Sequence, residues 1–445
     1  MASSYIKRTF GTPTDQNKWT FSGWVKLGQV TTDAVIFSAG TNASNNIDGI
    51  KIDTNALRVF SYPGSYVFHL ISNRKFRDLS AWYHFQVAYD SDQSTAADRV
   101  KCYINGTQLS SFSTETYPSS GANAGHINLS GREHIIGSDT GGANNNINGY
   151  VTHCHFADGQ AYAPTVFGET DSTSGIWKPK TSPTVTYGNN GFFLKFENSA
   201  ALGTDSSGNG NNFTVVGTPT QTADTPSNNF ATMNPLDNIY FGGTYSNGNL
   251  TIQSDSSSYT FCTSTLGVSA GKWYVEAKLS AADSGGTRIG GSGRTSTGSN
   301  NNLGDRASEF MYQTNGDLKI SNTTTSSWGS TWTTNDIIGI ALDLDNNKVY
   351  FSKNGTFQAS GNPSTGSNGQ TITAASSTSD GFYRFGFSDN DSGGTATFQY
   401  NFGSGFFGTT AVASANADGN GIGAFEYTVP TGYYAVCTKN IKEFG

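Results

Sequence analysis

Lys101-Cys102-Tyr103-Ile104-Asn105-Gly106-Thr107 has a counterpart in the second half of the chain, Lys348-Val349-Tyr350-Phe351-Ser352-Lys353-Asn354-Gly355-Thr356. Each is a β-run entering Asn-Gly, the dipeptide that supplies the positive-φ residues of a type I′ hairpin. An alternating run ending in Asp precedes each, over 82–90 and 337–345. Both halves therefore read as antiparallel β, and two sandwiches of related plan are expected. Asn-Gly hairpins occur in any β protein, so the pair alone leaves the shared plan open.

Outward from these hairpins the chain alternates aromatic-rich runs with Gly, Asn, Asp and Pro, and almost nothing recurs at helical spacing. Strands are predicted over 19–27, 34–38, 57–62, 82–89, 100–104, 133–137, 150–157 and 192–196, enough for a two-layer stack. A second set is predicted over 272–279, 310–312, 318–321, 337–344, 348–352, 382–387, 396–402 and 424–428. Between them, 217–238 is rich in Thr and Asn and holds Pro219, Pro226 and Pro235, the composition of an extended connector or an edge-hugging arm. The domains are accordingly placed at 1–216 and 239–445.

Composition agrees: 13 % of residues are charged, Gly numbers 54, and aromatic residues reach 13 %. Helical surfaces need more charge than that, whereas the aromatics supply the buried area of a core. A net charge of −7 without a basic run excludes a phosphate-tracking surface, so no nucleic-acid partner is expected. No 18-residue apolar window occurs, so neither membrane insertion nor a signal segment is expected. Cys102, Cys154, Cys262 and Cys437 are single and far apart, and read as buried free thiols.

The first half resembles the laminin-G-like, concanavalin-A-type jelly rolls of tailed-phage structural proteins. The resemblance lies in the runs 19–26, 76–84, 98–106 and 149–160, and in Asp205-Ser206-Ser207-Gly208-Asn209-Gly210-Asn211-Asn212-Phe213. The second half is similar to SPRY domains in Gly271-Lys272-Trp273-Tyr274-Val275-Glu276, in 336–343, in 349–355 and in Asn401-Phe402-Gly403. Its ending, 427–435, is similar to tails that follow such domains in marine phage proteins, with 408–423 read as an insertion before it. The implied fold is all-β: two jelly-roll-type β-sandwiches, laminin-G-like then SPRY. The implied role is a virion surface protein, made in a host cytoplasm, homo-oligomeric and docked on other virion proteins. It would bind host-surface glycan or protein as part of a tail fibre; the alternative is an architectural decoration or head-fibre protein.

Chemistry is harder to find than binding. The glutamates are isolated from one another, and alternating acids such as Asp343 with Asp345 and Asp389 with Asp391 sit at strand ends, unlike the paired carboxylates of glycosidases. Spacing leaves a Ser-His-Asp triad open, but no Gly-x-Ser-x-Gly elbow is present; no enzyme activity is expected. His153 and His155 fall on one strand face, either as metal ligands or, with Cys154 and Phe156 facing the core, as plain surface histidines. Asp205, Asn209 and Asn211 lie in a Gly-rich loop that fits calcium, the candidate cofactor, or a simple turn. For recognition, two long stretches read as loops: 283–309 carries Arg288, Arg294 and Arg306 among Gly, Ser and Asn, and 323–335 carries Trp328 and Trp332, either a ligand platform or caps on the core. Tyr62-Pro63-Gly64-Ser65-Tyr66 reads as a hairpin tip whose tyrosines face a ligand or merely a turn.

Overall fold

The computed structural model describes residues 4–30, 33–41, 46–141, 145–237, 242–257, 259–283, 285–294, 301–390 and 393–445. The chain forms two compact units, Met1–Gln221 and Thr222–Gly445. Both are β-sandwiches, and among the described residues no helix is long and apolar enough to cross a membrane.

In the first unit one sheet has eight strands, in the order Phe112–Thr116, Phe68–Lys75, Ala56–Pro63, Asn46–Asp53, Asp33–Gly40, Glu133–Ile136, Tyr5–Thr9, Thr214–Val216. The facing sheet has six, in the order Phe192–Leu194, Gly149–Asp158, Lys18–Leu27, Trp82–Asp90, Val100–Ile104, Thr107–Gln108. Alternation sends Ile50, Ile52, Leu57, Val59, Phe68 and Leu70 inward from one sheet, against Phe21, Val25, Phe85, Val87, Cys102 and Phe156 from the other. The six-stranded sheet carries a further layer on its outer side, where Trp177, from the small hairpin Gly168–Thr170 with Trp177–Pro179, lies against His84 and Gly106.

The second unit repeats the plan. Its larger sheet runs Thr244–Ser246, Thr251–Gln253, Thr397–Asn401, Lys272–Ala281, Ile337–Asp343, Lys348–Lys353, Thr356–Phe357, with Gln370–Thr371 also on Lys348–Lys353. Its smaller sheet runs Thr260–Thr263, Arg384–Asp389, Arg288–Ser292, Glu309–Gln313, Leu318–Ile320, Thr323–Thr325. The C-terminal segment covers the outer side of the larger sheet: Phe425, Tyr433, Ala435 and Cys437 pack with Phe230 on Tyr274, Ala341 and Tyr350.

The two hairpins that open the sequence reading have the same local construction. Asn105 and Gly106 take φ 49° and 80°, Asn354 and Gly355 take 46° and 81°. In each, the Asn side chain accepts a backbone N–H from the strand before, from His84 and from Ile337, both at 2.8 Å. In each, an aromatic ring closes over the glycine, Trp177 in the first unit and Tyr427 in the second, so close that a Cβ there would clash.

Several expectations need correction. Of the stretch read as an extended connector or edge-hugging arm, 229–237 is part of the second unit: Phe230 and Met233 are buried, bridging Cys437 and Ser264, and that unit begins at Thr222. Proline and Thr/Asn content outweighed the scattered apolar residues in that reading. The strand expected over 424–428 is absent: Ala424 and Phe425 make isolated bridges to Ser404 and Asn416. The supposed insertion is part of the packing, since buried Asp418 accepts the N–H groups of Ile422 and Ala435 and the Asn440 amide of the final helix, Thr438–Phe444. Arg288–Ser292, read as loop because of its glycines, is a central strand. A Cβ on Gly290 would lie 1.9 Å from the Phe310 carbonyl oxygen, so only glycine lets these strands approach.

Candidate functional site

The strand Ala56–Pro63 alternates strictly: Leu57 and Val59 enter the core, which leaves Arg58, Phe60 and Tyr62 on the outer face of the eight-stranded sheet. Its neighbour Phe68–Lys75, in register through Phe60 opposite His69, brings His69 to the same face. The hairpin between them turns at Gly64, φ 90°, and returns Tyr66 over the sheet. Gly49 makes room for the Phe60 ring, which would sit 2.9 Å from a Cβ there.

These side chains form one cluster. The Tyr66 ring stacks on His69 at 4.2 Å and meets Tyr62 edge-on at 4.6 Å. Arg58 lies 4.6 Å over the Phe60 ring and spends its donors locally: Nη1 to Asp53 at 2.9 Å, Nη2 to the Tyr66 hydroxyl at 2.8 Å, Nε to His69 Nε2 at 3.1 Å. Partial burial, then the Arg58 charge, lower the His69 pKa and keep its Nε2 an acceptor. Burial raises Asp53, but bonds from Arg58 and Thr54 and the Lys51 charge outweigh it and hold its carboxyl below the usual range. Tyr66 is 44 % exposed. The result is an aromatic face held in place by the Arg58–Asp53 ion pair and open to solvent at Tyr66.

Beneath it Asp48 is fully buried and ties the sheet to the loop 123–128. It accepts the N–H groups of Tyr62, His126 and Ile127, and burial pushes its pKa up to about 7. Of this site, sequence reasoning found Tyr62 and Tyr66; it missed Arg58, Phe60 and His69. The period-two pattern of 56–63 was a usable signal, since it places Arg58 and Phe60 beside Tyr62.

The other candidates are placed differently. Trp332 is buried in the core of the second unit, 3 % exposed, and Trp328 packs edge-on to Tyr312 and Phe351. These rings cap the core and do not form an open platform. Arg288 is on the strand Arg288–Ser292, half-buried, with Nη1 donating to Asn302 at 3.0 Å. Arg294 exchanges hydrogen bonds with Ser292 across a tight turn, and the Arg306 N–H donates to buried Glu309. Ser284 and 295–300 of that loop lie outside the described residues.

The calcium reading does not fit the loop as built. The Asp205 carboxylate accepts four hydrogen bonds, from the N–H groups of Phe193, Ser207 and Asn211 and from the Ser207 hydroxyl. The Asn209 amide donates to the carbonyls of Gly188 and Gly191, that of Asn211 to those of Asn189 and Gly191, and the Asn211 oxygen accepts from the Arg8 guanidinium. A loop whose one carboxylate is saturated, with a cation already against it, is a staple between segments.

His155 stacks on Phe193 at 3.8 Å with Nδ1 against the Tyr187 hydroxyl, and His153, on a bulge at φ 47°, pairs with Thr152. Among the described residues no three His, Cys, Asp or Glu side chains gather to hold a metal. A Ser-His pair does exist, Ser22 Oγ 2.8 Å from His84 Nε2, but the Trp177 indole N–H donates to His84 Nδ1 at 3.0 Å. An indole only donates, so Nδ1 must accept and Nε2–H must donate to Ser22; the imidazole has no lone pair to take the Ser22 proton. Asp343 is paired with Lys272, Asp345 takes the Gly271 N–H, Asp389 takes Ser254, and Asp391 lies outside the described residues.

Comparisons with known proteins agree with this architecture. Residues 2–161 match the concanavalin A-like lectin/glucanases superfamily and 272–377 match the SPRY domain. Similar solved structures include the SPRY domain of human HERC1, 17 % identical over 38 % of this chain and 96 % of that one, TM-score 0.30. Stonustoxin is 14 % identical over 38 % and 27 %, TM-score 0.28, and a heptameric SAP-like pentraxin from Limulus polyphemus is 15 % identical over 42 % and 89 %, TM-score 0.28. No curated protein matches. A concanavalin A-like domain and, after it, a SPRY domain are thus found in this chain.

Proposed function

We propose that the chain is a binding protein of a tailed-phage virion surface, made in the host cytoplasm, that attaches to host-surface glycan through the Tyr62–Tyr66 face. It works without catalysis and without a required cofactor, as a homo-oligomer docked on other virion proteins. One observation carries the reading: Tyr66 is open to solvent while its ring and hydroxyl are fixed by His69 and Arg58. A ring fixed in advance loses little freedom when a sugar face or an apolar side chain stacks on it. Both matched domain types are binding modules, which supports a role in adhesion.

The test is adsorption of purified protein to host cells. Tyr66→Ala with Tyr62→Ala should weaken it at least tenfold, equal to about 1.4 kcal/mol, with the melting temperature unchanged. Unchanged adsorption by the folded variant refutes the site. An architectural role has its own support in the edge strand Thr214–Val216, which among the described residues pairs on one side only and leaves Val215 37 % exposed, a template for a neighbouring subunit. Imaging of the particle separates the two: a tail-tip position favours attachment, a position on every capsomer favours decoration.

A further inference from the structure

In the second unit an open groove of about 380 Å³ runs between the loop 357–364 and the tail residues 428–431. The half-buried Phe357 and Val429, backed by the buried Pro363 and Pro430, form its apolar part, and Asn362, Thr428 and Thr431 its polar part. Among the described residues no ionised side chain lines it.

Its walls are built rigidly. Ala359 and Ser360, consecutive and neither of them glycine, take φ 50° and 56°, a backbone state that L-residues seldom adopt and that tends to persist where surrounding structure enforces it. The Asn368 amide holds the Ser360 carbonyl at 2.9 Å, and Asn362 and Ser367 exchange backbone bonds at 2.9 and 3.1 Å. The opposite wall is pinned by the Thr431 N–H on Ser364 Oγ at 3.0 Å. Among the described residues no protein group takes the hydroxyls of Thr428 and Thr431, so both are available to a ligand.

We infer that this groove binds a neutral hexose unit of a glycan, separately from the Tyr62–Tyr66 face. A hexose has one C–H face, suited to the half-buried Phe357 and Val429 side chains, and a rim of hydroxyls that both donate and accept, suited to Thr428, Thr431 and the Asn362 amide. An acidic sugar would lose water from its carboxylate with no cation in the lining to replace it. A peptide adding as a strand is disfavoured by the tail wall, where Pro430 has no N–H, its carbonyl accepts from Tyr433, and the Thr431 N–H is already used.

The experiment is ligand-observed saturation-transfer NMR on the full chain, with the methyl glycosides of glucose, galactose, mannose and glucuronic acid, and with acetyl-decaproline amide. At least one neutral glycoside should receive saturation and the glucuronide none. Val429→Trp, at a half-buried position of the groove wall, should weaken that signal at least tenfold, and Thr428→Val, at an exposed one, should weaken it severalfold with an unchanged melting temperature. Tyr66→Ala should leave it intact, which separates this site from the other. The inference fails if no neutral glycoside responds, if Val429→Trp keeps the full signal, if the glucuronide responds equally, or if only the peptide binds.

Discussion

His84 illustrates how one donor decides what a side chain can do. Trp177 consumes its Nδ1 lone pair, and complete burial pushes its pKa down to about 3. The ring should therefore stay neutral, with the proton on Nε2, from pH 8 down to pH 4, as read by nitrogen-15 NMR; an imidazolium signal at pH 6 would contradict this hydrogen bonding. Glu276 is the opposite case, an acid pushed up to about 7 by burial although it accepts the N–H groups of Glu426 and Tyr427. A folded-state pKa above the unfolded one means that the native state holds the extra proton. Its contribution is thus complete below about pH 4.5 and is lost as pH rises through about 7, on the order of 3 kcal/mol in all. Denaturant unfolding at pH 5 and pH 7.5 should show this loss, and Glu276→Gln should flatten it. At the candidate site Tyr62 and Tyr66 were legible as a turn-borne aromatic pair. The Arg58–His69 bond that fixes Tyr66 was not, because it joins residues on two strands whose register no local pattern states.

At the scale of elements, the covering segments are what turn two sandwiches into these particular units. Phe425 belongs to no strand, yet it is fully buried and meets Tyr274 edge-on at 5.0 Å. Phe425→Ala should cost about 3–5 kcal/mol and appear as a lower melting temperature. Trp332→Ala should cost a similar amount, because its ring fills the core between Tyr312 and Phe398; cell adsorption should fall only as far as folding does. Strands carried by large alternating side chains, such as Trp82–Asp90 and Ile337–Asp343, were readable in advance. Asn46–Asp53 and Arg288–Ser292 were not, since their glycines, which look like breakers, are what a neighbouring Phe60 ring or Phe310 backbone requires.

Across the whole molecule the four cysteines share one environment: Cys102, Cys154, Cys262 and Cys437 are all buried and free. Burial raises every one of their pKa values, to about 12 for Cys102 and Cys154. Native protein should react slowly with a thiol reagent, and unfolded protein should consume about four equivalents without prior reduction; two fewer would reveal a disulfide.

Period-two alternation, Asn-Gly turns and low charge determined by themselves that this chain is β throughout, in two sandwiches, because those signals act between near neighbours and need no knowledge of the fold. Tertiary structure alone decided that 229–237 and 404–437 complete the second unit, that Trp332 is core, that the Asp205 loop is a staple, and that Arg58 meets Tyr66 and His69. Each of these depends on which distant segment arrives to cover an apolar ring or to take a hydrogen bond. Desolvation and partner choice are properties of the assembled core, and composition along a single strand does not contain them.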